Sequence, residues 1–318
     1  MADLNGLEVQ IKPINKVKYE NGIFSIKIDP NNFYSEKGMK KEDLEKYIEN
    51  FVANKIKKCK YFDVRNFMNR MRNVLILHFK PKEGDLYAGD YSYEFGIIRF
   101  DTYDTLDHEL EHVSKQKPKK DNITRAGLSF CIGDDDYIGE GIDEGNTEIL
   151  KERYTGKPYS QAYFFETLVH KHFENLLSSD AVEKASYDAE YIDILMELSD
   201  YLSVDETLLL LDNLDYLTWA SIFEKENIDR KEYLFCKKCV EYMSYCLQKA
   251  YLKKLSTEHV SSKDFKKYIN RNLWLVGVVA IVSTRKGNDL KAIYFTNDKE
   301  YNEFKEKAKI LKAKGINQ

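Results

Sequence analysis

The sequence predicts an α+β protein, with a mixed sheet in its N-terminal part and a mainly helical C-terminal part. Three observations carry this. The first hundred residues alternate strand-like and helix-like stretches, residues Tyr159 to about Lys267 keep a helical period, and the tail from Leu273 returns to strand patterning.

Taken in order, GIFSIKID (Gly22 to Asp29) alternates like a strand. KEDLEKYIENFVANKIKK (Lys41 to Lys58) follows the helical period, with Leu44, Ile48, Phe51 and Ile56 on one side. A helical piece around Val64 to Met71 leads into NVLILHFK, an apolar run of the buried-strand kind, and SYEFGIIRF (Ser92 to Phe100) reads as the next strand. DTYDTLDHELEHVSKQ then places Leu106, Leu110 and Val113 at helical spacing, and Lys117 and Pro118 stop it. NITRAGLSFCIG reads as one further strand, the acidic GDDDYIGEG as a loop, and IDEGNTEILKERYTG as a helix closed by Gly156. In the helical part, Ser203 and Glu206 form a capping box ahead of Leu208 to Leu211. Finally, LWLVGVVAIVSTRKGNDLKAIYF reads as a hairpin turning at Lys286 to Asp289, and Glu300 to Lys314 as a closing helix. The expected organisation is therefore 1–156, a core of strands and two motif-bearing helices; 157–270, a helical lobe; and 271–318, a hairpin plus helix.

Composition narrows the function classes. The 49 basic and 53 acidic residues give a net charge of -4, so no overall field draws the chain to nucleic acid or to an anionic membrane. The N-terminus lacks the basic-then-apolar pattern of a secretory leader, and the longest apolar run, Leu273 to Val282, is shorter than the roughly 20 residues of a spanning helix. A cytoplasmic protein is expected, and the pattern is also compatible with delivery by a dedicated export system. Five irregularly spaced cysteines argue against a disulfide framework and fit a reducing compartment. Cys236 and Cys239 lack a second pair to complete a zinc site and read as buried small hydrophobes, while Asp134 to Asp136 lack the alternating spacing of a calcium loop. The pattern specifies no oligomeric state.

The chemistry sits in HELEH. Residues four apart lie on one helix face, so His108 and His112 can offer imidazole nitrogens to one ion, while Glu109 can reach a metal-polarised water without being a ligand. Six histidines in 318 residues would give about 0.01 such triplets by chance, which makes the pattern informative. A catalytic zinc site needs a third protein ligand. Glu144, in GIDEGNTEIL, is the candidate, and Glu148, one turn further on the same face, is a candidate acceptor for a free ring N–H of a ligating histidine. Read in reverse, HELEH also contains HxxEH, with Glu111 as the base. For the oxyanion formed when a carbonyl is attacked, Tyr163 and His170, seven apart on a presumed helix, are candidate donors; Tyr154 and Tyr159 compete with them.

HELEH followed by DEGNTE resembles the gluzincin metallopeptidases, the thermolysin-like class in which a downstream Glu completes the zinc site. The resemblance spans roughly residues 70–156 and implies a zincin-like fold, a Zn2+ cofactor, a peptide or protein substrate and amide hydrolysis. It also implies that SYEFGIIRF is the edge strand on which the substrate pairs. That class typically has Asn before the ligand Glu, where this chain has Asp143. A metzincin would require Gly at 115 and His at 118, occupied here by Lys115 and Pro118; a deformylase would require an upstream Gly-Cys context that Cys59 does not supply. The reading from a different class is a catalytically inactive, zinc-stabilised interaction protein of the same fold.

Overall fold

The computed structural model describes residues 15–82, 88–118, 123–132, 136–223, 230–257, 280–284 and 287–293. The fold is mixed α+β, and the chain divides into two compact units: residues 1–117 with 150–158, and residues 118–149 with 159–318.

The first unit opens with a hairpin of β1 (Lys16–Glu20) and β2 (Ile23–Lys27). Asn21 and Gly22 link them, both at positive φ, as the tight turns that match strand twist require. Next come β3 (Phe33–Ser35), α1 (Lys41–Lys58), α2 (Val64–Met71), β4 (Leu75–His78), β5 (Gly89–Ser92), β6 (Ile97–Phe100) and α3 (Tyr103–Lys115). The expected bounds of α1 are met: Glu42 and Asp43 lie in its first turn, Lys57 and Lys58 in its last, and Leu44, Ile48 and Phe51 are buried. Ile56 is partly buried at the margin of the same core.

The sheet runs β3-β4-β6-β5, with β3, β4 and β6 parallel and β5 antiparallel to β6. This corrects the reading of SYEFGIIRF as one edge strand. Gly96, at φ +63, allows a turn that splits the segment, so Ile97–Phe100 is an interior strand and the edge is β5. Interior position suits Ile98 and Phe100, both fully buried. The core gathers Ile26, Ile48, Phe67, Ile76, Phe100, Leu106 and Leu110 from sheet and helices.

The second unit contains a sheet of β7 (Ile123–Ala126), β8 (Ser129–Ile132) and β9 (Asp136–Ile138). Two features here depart from expectation. NITRAGLSFCIG is a hairpin rather than one strand, because Gly127 turns the chain at φ +60, and part of the acidic stretch forms β9 against β8. Helix α4 (Glu140–Thr155) follows, crossing the division between units at 149/150 and ending at Gly156 with φ +78. The helical succession is α5 (Phe164–Leu176), α6 (Ser179–Asp188), α7 (Tyr191–Leu198), α8 (Val204–Phe223) and α9 (Arg230–Thr257). The capping box is realised: Glu206 N–H donates to Ser203 Oγ at 3.2 Å and Ser203 N–H to Glu206 Oε2 at 3.0 Å.

Helices α5 to α9 enclose a core of Phe173, Leu198, Leu210, Leu214, Cys246 and their neighbours. Cys236 and Cys239 are buried free thiols on α9, and burial pushes the Cys239 thiol up to about 12, so they behave as small hydrophobes. A final antiparallel hairpin joins β10 (Ala280–Thr284) to β11 (Gly287–Ile293). Thr284 pairs with Gly287, so Gly287 to Asp289, expected in the turn, already belong to a strand. The expected closing helix lies outside the described residues. Among the described residues, no helix is long and apolar enough to cross a membrane.

Candidate metal centre

Helix α3 presents HELEH because its start is capped and two of its sides are packed. The Thr102 hydroxyl accepts the Thr105 N–H at 3.3 Å, and Leu106, Leu110 and Val113 enter the core. A carboxylate stripe of Asp104, Asp107 and Glu111 runs along one side, each residue meeting a lysine. Lys151 lies 3.1 Å from Asp104, Lys157 2.5 Å from Asp107, and Lys55 2.6 Å from Glu111. The Lys55–Glu111 pair is essentially solvent-free, and the same ammonium sits 3.9 Å from the centre of the Tyr154 ring. Burial raises the Asp107 carboxyl, while Lys157 and the Tyr47 hydroxyl pull it back. Glu111 is therefore held by a cation, an arrangement that suits a structural carboxylate and speaks against the reversed HxxEH reading.

The adjacent stripe carries the histidines. His108 and His112 are buried at 5% and 4% exposure, and their Nε2 atoms face each other at 3.1 Å. Two imidazoles bound to one tetrahedral ion at roughly 2.0–2.1 Å would place these nitrogens about 3.3–3.4 Å apart, so the pair lies slightly closer than two ligands on one ion and a small ring movement would bring it to that spacing. Glu144 of α4 completes the group. One donor atom each from His108, His112 and Glu144 lies within 4.8 Å of the others, a set that can hold a metal ion. Nitrogen and carboxylate donors in this number suit a borderline cation.

At the outer ring nitrogen of His112, the partner is one that sequence reasoning missed. The Tyr93 hydroxyl lies 2.7 Å from Nδ1. If Nε2 binds a metal, Nδ1 carries the proton and donates it to the phenol oxygen, which fixes both tautomer and ring orientation. Tyr93 is itself fixed: the Gln116 side chain donates to its carbonyl at 3.1 Å, and the Asn66 side chain donates to the Gln116 carbonyl at 2.7 Å. Nothing in the local pattern distinguishes Tyr93 from any aromatic in a strand. Glu148, the expected acceptor, is buried and takes the backbone N–H of Ser160.

Glu109 is buried at 4% exposure and points toward the start of the edge strand: a Cβ on Gly89 would lie 3.2 Å from its Oε1. The same Cβ would lie 2.2 Å from Thr105 Cγ2, so only glycine lets β5 approach α3 this closely.

Around Glu144, α4 is anchored on several sides. Asp143 Oδ1 accepts the Leu128 N–H at 2.8 Å, which gives the residue standing where the thermolysin-like class has Asn a defined structural task. Ser186 donates to Asn146 Oδ1 at 2.6 Å, which orients the amide so that its Nδ2 donates to His170 Nε2 at 2.9 Å. His170 is thus fully buried beside α4, whereas Tyr163 is half-buried, ends the 3-10 turn Gln161–Tyr163 and precedes the first residue of α5. On the neighbouring face Glu166 accepts the Thr218 hydroxyl at 2.7 Å, and burial pushes its carboxyl up to about 7. No family model, curated protein or solved structure matches the chain.

Proposed function

We propose that the protein is a zinc-dependent peptidase of zincin-like fold, hydrolysing peptide bonds with Glu109 as general base. The observation that carries this reading is the convergence of His108, His112 and Glu144, with Glu109 left beside them on the same helix as the histidines. A zinc ion held by those three residues would polarise the scissile carbonyl and lower the pKa of a bound water to about 7.

The chain's own groups supply the rest. An extended peptide laid along β5 would find a strand edge that pairs with no further strand among the described residues and offers backbone donors and acceptors, and the register would carry it past Glu109, which lies against Gly89. Glu109 takes the proton from the attacking water as its oxygen bonds to the carbonyl carbon. The same carboxyl returns that proton to the amine nitrogen as the C–N bond breaks, which balances the reaction. Tyr163 is the better of the two candidate oxyanion donors, since it is half-buried whereas His170 is fully buried with its Nε2 accepting from the Asn146 amide. Tyr93 orients His112.

The test is metal content by mass spectrometry together with cleavage of a peptide library, with and without chelator. The purified protein should hold about one zinc per chain, and cleavage should stop when zinc is removed. Glu109→Gln should keep the zinc and lose at least about 100-fold in kcat, in line with the contribution of a general base. Hydrolysis by that variant at the unaltered rate would refute the assignment. Bound zinc with no cleavage of any peptide would favour the zinc-stabilised interaction protein instead.

A further inference from the structure

Helix α4 starts without a cap of its own. Its N-cap position is Gly139, which has no side-chain oxygen and stands at φ +80. A side chain there is barred: a Cβ would come within 2.4 Å of the Leu128 carbonyl oxygen and 2.9 Å of the Tyr191 ring. The first N–H groups of a helix still need acceptors, and its start carries partial positive charge. Both requirements are met from α8. Asp215 accepts the Gly139 N–H through Oδ2 and the Gly141 N–H through Oδ1, each at 2.8 Å, so one carboxylate spans the first turn.

The contact depends on a bare backbone. A Cβ on Gly141 would lie 2.7 Å from Thr218 Oγ1 and 2.9 Å from Leu214 Cγ, and one on Gly145 would lie 2.2 Å from the Glu166 carbonyl oxygen. Gly141 and Gly145 flank Glu144, so the stretch of α4 that carries this carboxylate is seated against α8 and α5 by backbone contact. A helix seated in this way has little freedom to slide or rotate, and the direction of the Glu144 side chain follows from that seating.

We propose that Asp215 is a positioning residue for the metal centre, fixing the direction of Glu144 by capping α4 from α8. This rests on the reading of Glu144 as the third zinc ligand. Burial pushes the Asp215 carboxyl up to about 6, with the two glycine N–H groups pulling it down, so at neutral pH the ionised form that both N–H groups require is present.

The experiment is a double-mutant cycle on the full chain, reading zinc affinity by competition with a chromogenic chelator. Asp215→Asn replaces one acceptor oxygen with an N–H donor facing a backbone N–H. It should weaken zinc binding by on the order of 10-fold to 100-fold, the scale of losing a supporting partner around a metal. In a Glu144→Ala background the same change should leave zinc affinity within about twofold, because the side chain through which Asp215 acts is gone. Asp215→Asn with unaltered affinity, or with an equal loss in both backgrounds, would overturn the proposal. Glu144→Ala with unaltered affinity would instead remove the zinc-ligand reading itself, which keeps the two failures apart. Should Asp215→Asn not fold, Gly141→Ala, which pushes a methyl against Thr218 and Leu214, should give the same pattern; zinc binding unaffected by that methyl would count equally against the proposal.

Discussion

In the unit of residues 1–117 and 150–158, Glu111 and Asp107 meet the ammonium groups of Lys55 and Lys157, whereas in the unit of residues 118–149 and 159–318, Asp215 and Asp143 meet backbone N–H groups and Glu166 a threonine hydroxyl. Both solutions give each buried carboxylate at least one partner, but they respond differently to change. An ion pair fails badly when one partner is removed, because the survivor is a buried charge without compensation. A carboxylate held by dipoles has no cation to keep it ionised, so burial lifts its pKa, to about 7 for Glu166 and about 6 for Asp215. The side of α3 behind the histidines is thus built from charge pairs, and the seat of α4 from oriented peptide groups.

The largest effect expected from this contrast is at Lys55. Replacing it with Met removes the cation from Glu111 and should cost about 3–5 kcal/mol in urea unfolding, with much of the loss recovered when Glu111→Leu is added. A loss below about 1 kcal/mol would mean that the pair is not the buried contact described, and the contrast between units would fail there.

Glu166 tests the other side. A carboxyl that holds its proton more tightly folded than unfolded contributes stability that is complete below the unfolded value of about 4 and lost as pH rises through the folded value of about 7. Urea midpoints measured with chelator present should therefore fall between pH 5 and pH 7.5, Glu166 accounting for on the order of 2 kcal/mol. Glu166→Gln, which keeps an oxygen for Thr218 and cannot ionise, should flatten that decline. An equally steep decline in the variant would show that Glu166 does not titrate in this range.

The smallest effect belongs to a contact that resembles neither. Ser203→Ala removes one half of an exposed capping box at the start of α8 and should cost about 1 kcal/mol in the same assay. A neutral result would mean that Glu206, which also lies 2.5 Å from Lys249, caps the helix without help.

Legibility in the sequence followed the range of the interactions. Local periodicity placed α1 at its full length, the helix carrying HELEH and the helix carrying Glu144, because apolar spacing and caps act within a few residues. The two histidines and Glu109 were legible for the same reason, being set by one helical turn. Segmentation failed at single glycines: Gly96 and Gly127 each turn a stretch read as one strand into two elements. Partners fixed by long-range packing left no local trace. Tyr93 reaches His112 from 19 residues away and Asp215 reaches Gly139 from 76, and in each case the sequence shows only an ordinary aromatic or an ordinary helix-surface acid. Asp143 reads as a departure from a family pattern until the Leu128 N–H is seen to need it.

The distance of 76 residues between Gly139 and Asp215 also sets an order of events during synthesis. At roughly 5–20 residues per second, a ribosome adds α8 about 4–15 s after the start of α4 has been made. Throughout that interval the nascent α4 has no cap at its first turn, since Gly139 supplies none, and closing so long a loop must await the arrival of the later helix. The assembly of this corner of the protein is therefore timed by translation, with its last component delivered from a part of the message that is read well after the HELEH codons.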